Sequence, residues 1–313
     1  MWYLLAFAMS FVITIGLIPL LTRLAKKVGF VDKPTERKQH KYAAPLIGGL
    51  AMFLGFIPSF AIFVGFSSFE HVAILIGAMV ILSIGLLDDY YKTRGREFPV
   101  FPRLLAHVGV AALVYAAGLR FWGFTIPFVE LRVDFPGILP FVFTVMWVFG
   151  VISAMNFSDG LDGLAGGFSG ITAVTLFIFA MFMGEISPAF MAVALIGCIL
   201  AFMRYNFFPA KIFMGDSGAN FLGFILAVVA LYGFKQATVI SIFIPVLALG
   251  VPIFDSLAVV IKRFVTRKPI YKADNSHIHQ RLLKKGLNPV QTVIFLFLIC
   301  ICLNLTSIIL MLL

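Results

Sequence analysis

Ten long apolar runs alternate with short polar stretches along this chain, at 3–21, 46–66, 71–87, 101–118, 137–156, 168–184, 188–205, 218–233, 238–261 and 291–313. A helix needs about 20 apolar residues to cross a hydrocarbon core of about 30 Å, and most of these runs come close to that length. Strands of an outer-membrane barrel would alternate polar and apolar positions over about ten residues, whereas these runs are continuously apolar. The pattern predicts an all-α polytopic membrane protein of about ten transmembrane helices. The eighth run is short and the ninth long, so tilt or a kink is expected there, with Pro245 and Pro252 as its sites. One connection, 119–136, is longer than its counterparts on the same side. Within it Phe124 to Asp134 alternates loosely and predicts a small extracytoplasmic β-hairpin. With no internal repeat and no low-complexity linker, residues 1–313 read as a single integral-membrane domain.

Composition agrees with the pattern. Of 313 residues, 61% are hydrophobic and 12% charged, against about 45–50% and about 25% in soluble domains. A net charge of +10 would admit a nucleic-acid partner. The basic residues, however, are sorted by side. The loops 22–45, 88–100, 157–167, 206–217 and 262–290 are each separated by two spans and so share a face. They and their flanking span ends hold 21 of the 24 Lys and Arg, leaving Arg120, Arg132 and Lys235 for the other face. Basic residues accumulate on cytoplasmic loops, so the five loops are expected in the cytoplasm and the N-terminus outside. Lipid headgroups and phosphate-bearing substrates are then the expected partners, not nucleic acid. Cys198, Cys300 and Cys302 all lie in apolar runs and have neither disulfide nor zinc spacing. Met1 to Leu21 lacks a basic leading segment and runs straight into Arg23, Lys26 and Lys27, which reads as an uncleaved first span rather than a signal peptide.

The chemistry-bearing residues sit in the cytoplasmic loops. Asp88-Asp89-Tyr90-Tyr91-Lys92 closes the third run, and adjacent carboxylates repel unless a cation or substrate uses them. The alternative is a helix end running into water. Asn156-Phe-Ser-Asp159-Gly-Leu-Asp162-Gly-Leu-Ala-Gly-Gly167 carries polar groups every third residue, on one side if helical. It also reads as a Gly-Asp turn. Its spacing is not that of a calcium loop. Carboxylates that do not enclose a metal alone suit Mg²⁺, which takes one or two protein oxygens together with substrate phosphates. Asp216, ahead of Ser217 and Gly218, stands at a helix entrance as a cap or a metal ligand. Phe213, three residues earlier, is a core residue or a platform for a base. Asp274-Asn-Ser-His277-Ile-His279 lies among Lys and Arg, where it would form an electropositive clamp for phosphate. Asp255 is the one acid well inside an apolar run, so it belongs to a proton or ion pathway or to a structural hydrogen bond. Acids for Mg²⁺ and bases for phosphate are the two halves of a phosphoryl-transfer site.

In this order the motifs resemble the polyprenyl-phosphate N-acetylhexosamine-1-phosphate transferases. The resemblance rests on Asp32-x-Pro34-x-x-Arg37-Lys38-x-His40 with Pro45-x-x-Gly48-Gly49, on Asp88-Asp89, on Asn156-x-x-Asp159-Gly-Leu-Asp162-Gly-Leu-Ala, on Phe213-Met-Gly-Asp216-Ser-Gly and on His277-Ile-His279. It covers nearly the whole chain, and its first and last loops are similar to the WecA/TagO branch, which uses UDP-GlcNAc, rather than to the MraY branch of peptidoglycan synthesis. The resemblance implies that a lipid-phosphate oxygen attacks the β-phosphate of UDP-GlcNAc, releasing UMP at a bacterial cytoplasmic membrane. It implies Mg²⁺, with Mn²⁺ as an alternative, on Asp216 and Asn156, and catalytic carboxylates at Asp88 and Asp89. Asp159 and Asp162 join them as organisers of the nucleotide and of nearby cations. Substrate contacts are implied for Lys38, His40, Lys41, Lys92, Arg103, Asn206, Phe213, His277 and His279. A homodimer stays open. The chain departs from the usual pattern at Ser153, at Gln280, and at Arg103 and His107, where Lys and Gln are usual. A phosphate monoester has a second pKa of about 6, so the lipid phosphate needs little deprotonation, and positioning and charge neutralisation are expected to carry the rate. The rival readings are a secondary transporter using Asp255 and a non-catalytic scaffold. Clustering of the acids at one face argues against the first, and neither explains five ordered motifs on one face.

Overall fold

The computed structural model describes residues 1–32, 43–126, 131–234, 239–267 and 276–312. Lys38, His40 and Lys41, and the Asp274-Asn275 part of the last loop, lie outside the described residues. Twelve helices are described: α1 (Trp2–Val28), α2 (Gly48–Phe63), α3 (Phe69–Thr93), α4 (Val100–Ala116), α5 (Leu139–Ser158), α6 (Leu164–Phe182), α7 (Ile186–Asn206), α8 (Gly215–Phe234), α9 (Val239–Ala248), α10 (Gly250–Val265), α11 (Ile278–Lys284) and α12 (Pro289–Leu312). Two antiparallel strand pairs join them, β1 (Val31–Asp32) with β2 (Ala44–Pro45) and β3 (Gly123–Ile126) with β4 (Leu131–Asp134). The second pair is the expected hairpin, in register from Gly123↔Asp134 to Ile126↔Leu131.

Seven of the described helices, α1, α3, α5, α6, α7, α8 and α12, are long and apolar enough to cross a membrane, and α9 with α10 adds an eighth as a bent pair. The protein is a polytopic helical membrane protein. Every apolar run is helical, but two fall short of the expected span. α2 has 16 residues and α4 has 17, which at about 1.5 Å per residue is less than a hydrocarbon core.

α8 is the axis of the bundle. Every residue from Ser217 to Gly233 is buried, and α2, α3, α5, α6 and α7 pack around it. Phe221 meets Phe53 and Phe56 edge to face, both at 5.6 Å between ring centroids. α1 lies at the rim, burying only a stripe of Ala6, Ser10, Thr14, Ile18 and Ala25. Its other sides expose Leu4, Leu5, Val12, Leu20 and Leu24, the apolar outer surface a lipid solvent requires.

The ninth run, expected as one kinked span over 238–261, is two helices meeting at 80°. Pro252 has no N–H to return to the carbonyl of Ala248, so the helical ladder loses a rung there. The freed carbonyl accepts from Thr172 Oγ1 at 2.7 Å and from Asn304 Nδ2 at 3.1 Å. Neighbouring helices thereby satisfy a break that bare lipid would penalise.

Candidate active site

The site begins with backbone contacts between glycines far apart in sequence. β2 runs into Leu46, which bridges Phe213 in parallel. Phe213 N donates to Pro45 O at 2.9 Å, Gly48 N to Phe213 O at 3.0 Å and Gly49 N to Met214 O at 3.1 Å. A Cβ on Gly49 would lie within 2.6 Å of the Gly218 Cα, and one on Gly85 would lie 2.4 Å from the Ser217 Cα. Only residues without side chains let α2 and α3 come so near the start of α8. The first-loop Pro-x-x-Gly-Gly motif and the Phe-Met-Gly-Asp-Ser-Gly motif are therefore one substructure.

That approach delivers the carboxylates. Asp89 is buried and caps α8, its Oδ1 accepting from Asp216 N at 2.8 Å and its Oδ2 from Ser217 N at 3.1 Å. The first turn of a helix has amide groups without intrahelical partners, and a carboxylate there also faces the positive end of the helix dipole. Gly215, at φ +68°, lies against this carboxylate where a side chain would collide with it. Asp88, the other half of the pair, accepts from Arg103 Nη1 at 2.9 Å, with Lys92 Nζ 3.9 Å away on its other oxygen. Lys92 Nζ is 2.5 Å from Asp216 Oδ2, so one ammonium stands between the carboxylates of Asp88 and Asp216. One turn along α4 from Arg103, His107 is buried against Phe149, and its Nε2 has no hydrogen-bond partner among the described residues.

The second wall is the connection from α5 to α6. Asp162 Oδ2 accepts from Ala210 N at 2.9 Å, Asn206 Oδ1 accepts from Gly163 N at 3.0 Å, and Asn206 Nδ2 donates to Ile212 O at 2.9 Å. Asp162 and the buried Asn206 thus staple this connection to the one leading into Asp216. Asp159 is open to solvent as a residue, yet crowding by protein and then the carboxylates of Asp216 and Asp89 hold its carboxyl above the usual carboxylate range. Asn156 is half-buried in the last turn of α5, and Phe213 is half-buried beside the β2 bridge.

The third wall is the histidine motif. His277 stacks on His279, 5.9 Å apart and 7° from parallel, and lies 5.4 Å from the Phe157 ring. The buried His279 ring rests on Gly160, where a Cβ would be 2.3 Å from its Nε2. Burial first, and then the neighbouring His277, push the His279 imidazole down to about 4. Asp255 accepts from Ile278 N at 2.7 Å and pairs with His277 Nδ1 at 2.9 Å. Of the alternatives open for Asp255, the structure gives it the hydrogen-bonding one. Sequence reading raised this residue but had no means of pairing it with a histidine 22 positions away. It missed Gly85 altogether, since a glycine in an apolar run carries no signal until the chain that packs on it is known.

The residues suit a Mg²⁺ ion. Asp216 already holds a cation, the Lys92 ammonium. Among the described residues no three His, Cys, Asp or Glu form a cage.

The sequence matches the glycosyl transferase family 4 over residues 71–234. It is 37% identical over 306 residues to a Bacillus subtilis protein named probable undecaprenyl-phosphate N-acetylglucosaminyl 1-phosphate transferase, covering 97% of this chain and 84% of the relative. It is 31% identical over 304 residues to the decaprenyl-phosphate N-acetylglucosaminephosphotransferase of Mycobacterium tuberculosis, covering 88% and 74% of the two chains. To a phospho-N-acetylmuramoyl-pentapeptide-transferase of Halalkalibacterium halodurans it is 33% identical over 298 residues, 89% of each chain. Motifs, geometry and likeness agree, and the chain belongs to the polyprenyl-phosphate N-acetylhexosamine-1-phosphate transferases of glycosyl transferase family 4.

Proposed function

We propose that this chain transfers N-acetylglucosamine-1-phosphate from UDP-GlcNAc to undecaprenyl phosphate, at the cytoplasmic face of a bacterial cytoplasmic membrane. The observation that carries the reading is the meeting of Asp88, Asp89, Asp159 and Asp216 with Lys92 and Arg103 at one end of an apolar bundle. An oxygen of the lipid phosphate attacks the β-phosphorus of UDP-GlcNAc. A new P–O bond forms there, and the bond from that phosphorus to the bridging oxygen breaks. UMP leaves with the oxygen, and the lipid-diphosphate-sugar remains. The wider and closer likeness to the relative named for N-acetylglucosaminyl transfer, 37% against 33% identity, supports this sugar over the MurNAc-pentapeptide.

In this reading Lys92 and Arg103 hold phosphate oxygens, and Asp88 orients both. His277 and His279 clamp the diphosphate from the far wall, with Lys38, His40 and Lys41 contributing from the first loop. Phe213 and the glycines after Asp159 receive the nucleoside, while Asp162 and Asn206 keep their two loops in register. Asp216 and Asn156 are the residues that would hold Mg²⁺, or Mn²⁺ in its place. Such an ion supplies neutralisation of the charge that gathers on the phosphoryl oxygens. In the same reading the chain crosses ten times, with α2 and α4 as short spans and the α9–α10 pair as one broken span, and the sorting of basic loops sets the N-terminus outside and these residues inside. One domain accounts for the whole chain.

The test offers purified protein undecaprenyl phosphate with UDP-GlcNAc or UDP-MurNAc-pentapeptide in separate reactions. UMP release with UDP-GlcNAc alone is the expected result. Turnover of the pentapeptide alone would move the chain to the peptidoglycan branch, and gradient-driven uptake without UMP release would make it a carrier.

A further inference from the structure

We propose that Asp255 is the positioning residue of the histidine motif, selecting which nitrogen of His277 faces the substrate. The inference rests on the reading above, in which His277 contacts the donor diphosphate.

Asp255 lies in α10, which meets α9 at 80°, and not in the loop that carries the histidines. Both its oxygens are committed to that loop. Oδ1 accepts from the Ile278 amide at 2.7 Å, at the N-terminus of α11, and Oδ2 lies 2.9 Å from His277 Nδ1. Asp255 and His277 are each only 10% exposed as side chains. An ionised carboxylate only accepts hydrogen bonds, so the contact makes Nδ1 the protonated nitrogen and leaves Nε2 as the ring edge available to a ligand. A carboxylate that fixes a histidine tautomer is a familiar device where the other nitrogen has work to do. The ring is also held in place, since His277 stacks on His279 and lies 5.4 Å from the Phe157 ring at a 36° tilt, and His279 rests on Gly160. Asp255 therefore registers the last loop on the wall formed by the Asn156–Gly167 segment. The 80° turn of α10, permitted by the Ala248 carbonyl finding Thr172 and Asn304, brings the carboxylate there.

Two measurements test this. The first needs no substrate: ¹⁵N shifts of labelled histidine in the full-length protein, with His277 assigned by its loss in His277→Gln. Nδ1 protonated in the native chain, moving to Nε2 in Asp255→Asn, is expected, because the amide turns a donor toward the ring. Protonation on Nε2 in the native chain would overturn the proposal. The second is kinetic. Asp255→Asn should raise KM for UDP-GlcNAc and lower kcat/KM by about tenfold or more, the usual scale for losing such an orienting partner, and Asp255→Glu should recover part of it. The double variant with His277→Gln should be no worse than His277→Gln alone. Additive losses, or an Asp255→Asn enzyme within about twofold of native, would overturn it. If the native chain fails to turn over UDP-GlcNAc, the functional reading falls while the ¹⁵N result still decides the role of Asp255.

Discussion

Asp88 and Asp89 are adjacent in sequence and differently employed. Asp89 spends both oxygens on the amides of Asp216 and Ser217, while Asp88 faces Arg103 and Lys92. Asp89→Asn keeps an acceptor for one amide and turns a donor toward the other, so it should cost about 1–3 kcal/mol of stability, read as a lowered Tm in detergent. Asp88→Asn should lower kcat by about tenfold or more, with no recovery above about pH 8, because a lipid phosphate with a second pKa of about 6 is already a dianion. Recovery at high pH would make Asp88 an obligatory base. His279 supplies a pH prediction for stability. Its imidazole sits at about 4 in the fold against 6.5 for an ordinary histidine. The unfolded chain therefore binds more protons between those values. Stability contributed by the neutral ring is complete above 6.5 and is lost as pH falls toward 4, about 3 kcal/mol at the limit. His279→Gln should flatten that acid limb of the Tm profile.

Between elements, the site depends on backbones touching. Gly85→Ala would push a methyl 2.4 Å from the Ser217 Cα, and backbone on both sides cannot give way without moving α8. A loss of about 2 kcal/mol or more is expected, together with loss of turnover. Gly16→Ala in α1, where nothing lies within 4 Å, should be neutral or stabilising by up to about 1 kcal/mol. Thermal melts of the two variants side by side check both. The break between α9 and α10 depends in the same way on its neighbours. Thr172→Val removes one donor to the Ala248 carbonyl and should lower stability by about 1 kcal/mol.

Across the whole molecule, the sorting of basic loops and the meeting of acids at one end express one constraint. Charge is kept to the ends of the apolar spans, and in the proposed function phosphate-bearing substrates arrive on that side. If the five loops are cytoplasmic, a membrane-impermeant thiol reagent should label Arg96→Cys only after cells are opened, and Glu185→Cys, between α6 and α7, from outside; the reverse pattern would invert the topology. Chelation should abolish UMP release and Mg²⁺ restore it, with Asp216→Asn needing about tenfold more of the ion.

By itself the sequence determined the helical membrane class, because a lipid solvent imposes a length and an apolarity that ten runs display without reference to one another. It also brought the chemistry within view, since a charged or amide side chain at a span end is legible wherever it later points. Only the tertiary structure decided the pairings. That Asp89 caps α8, that Asn206 and Asp162 staple loops, that Asp255 holds His277, and that Gly85 and Gly49 admit α8 are relations between residues 22 to more than a hundred positions apart. Hydrogen bonds and close approach act over about 3 Å of space, and no period along a chain records which distant residue will fill it.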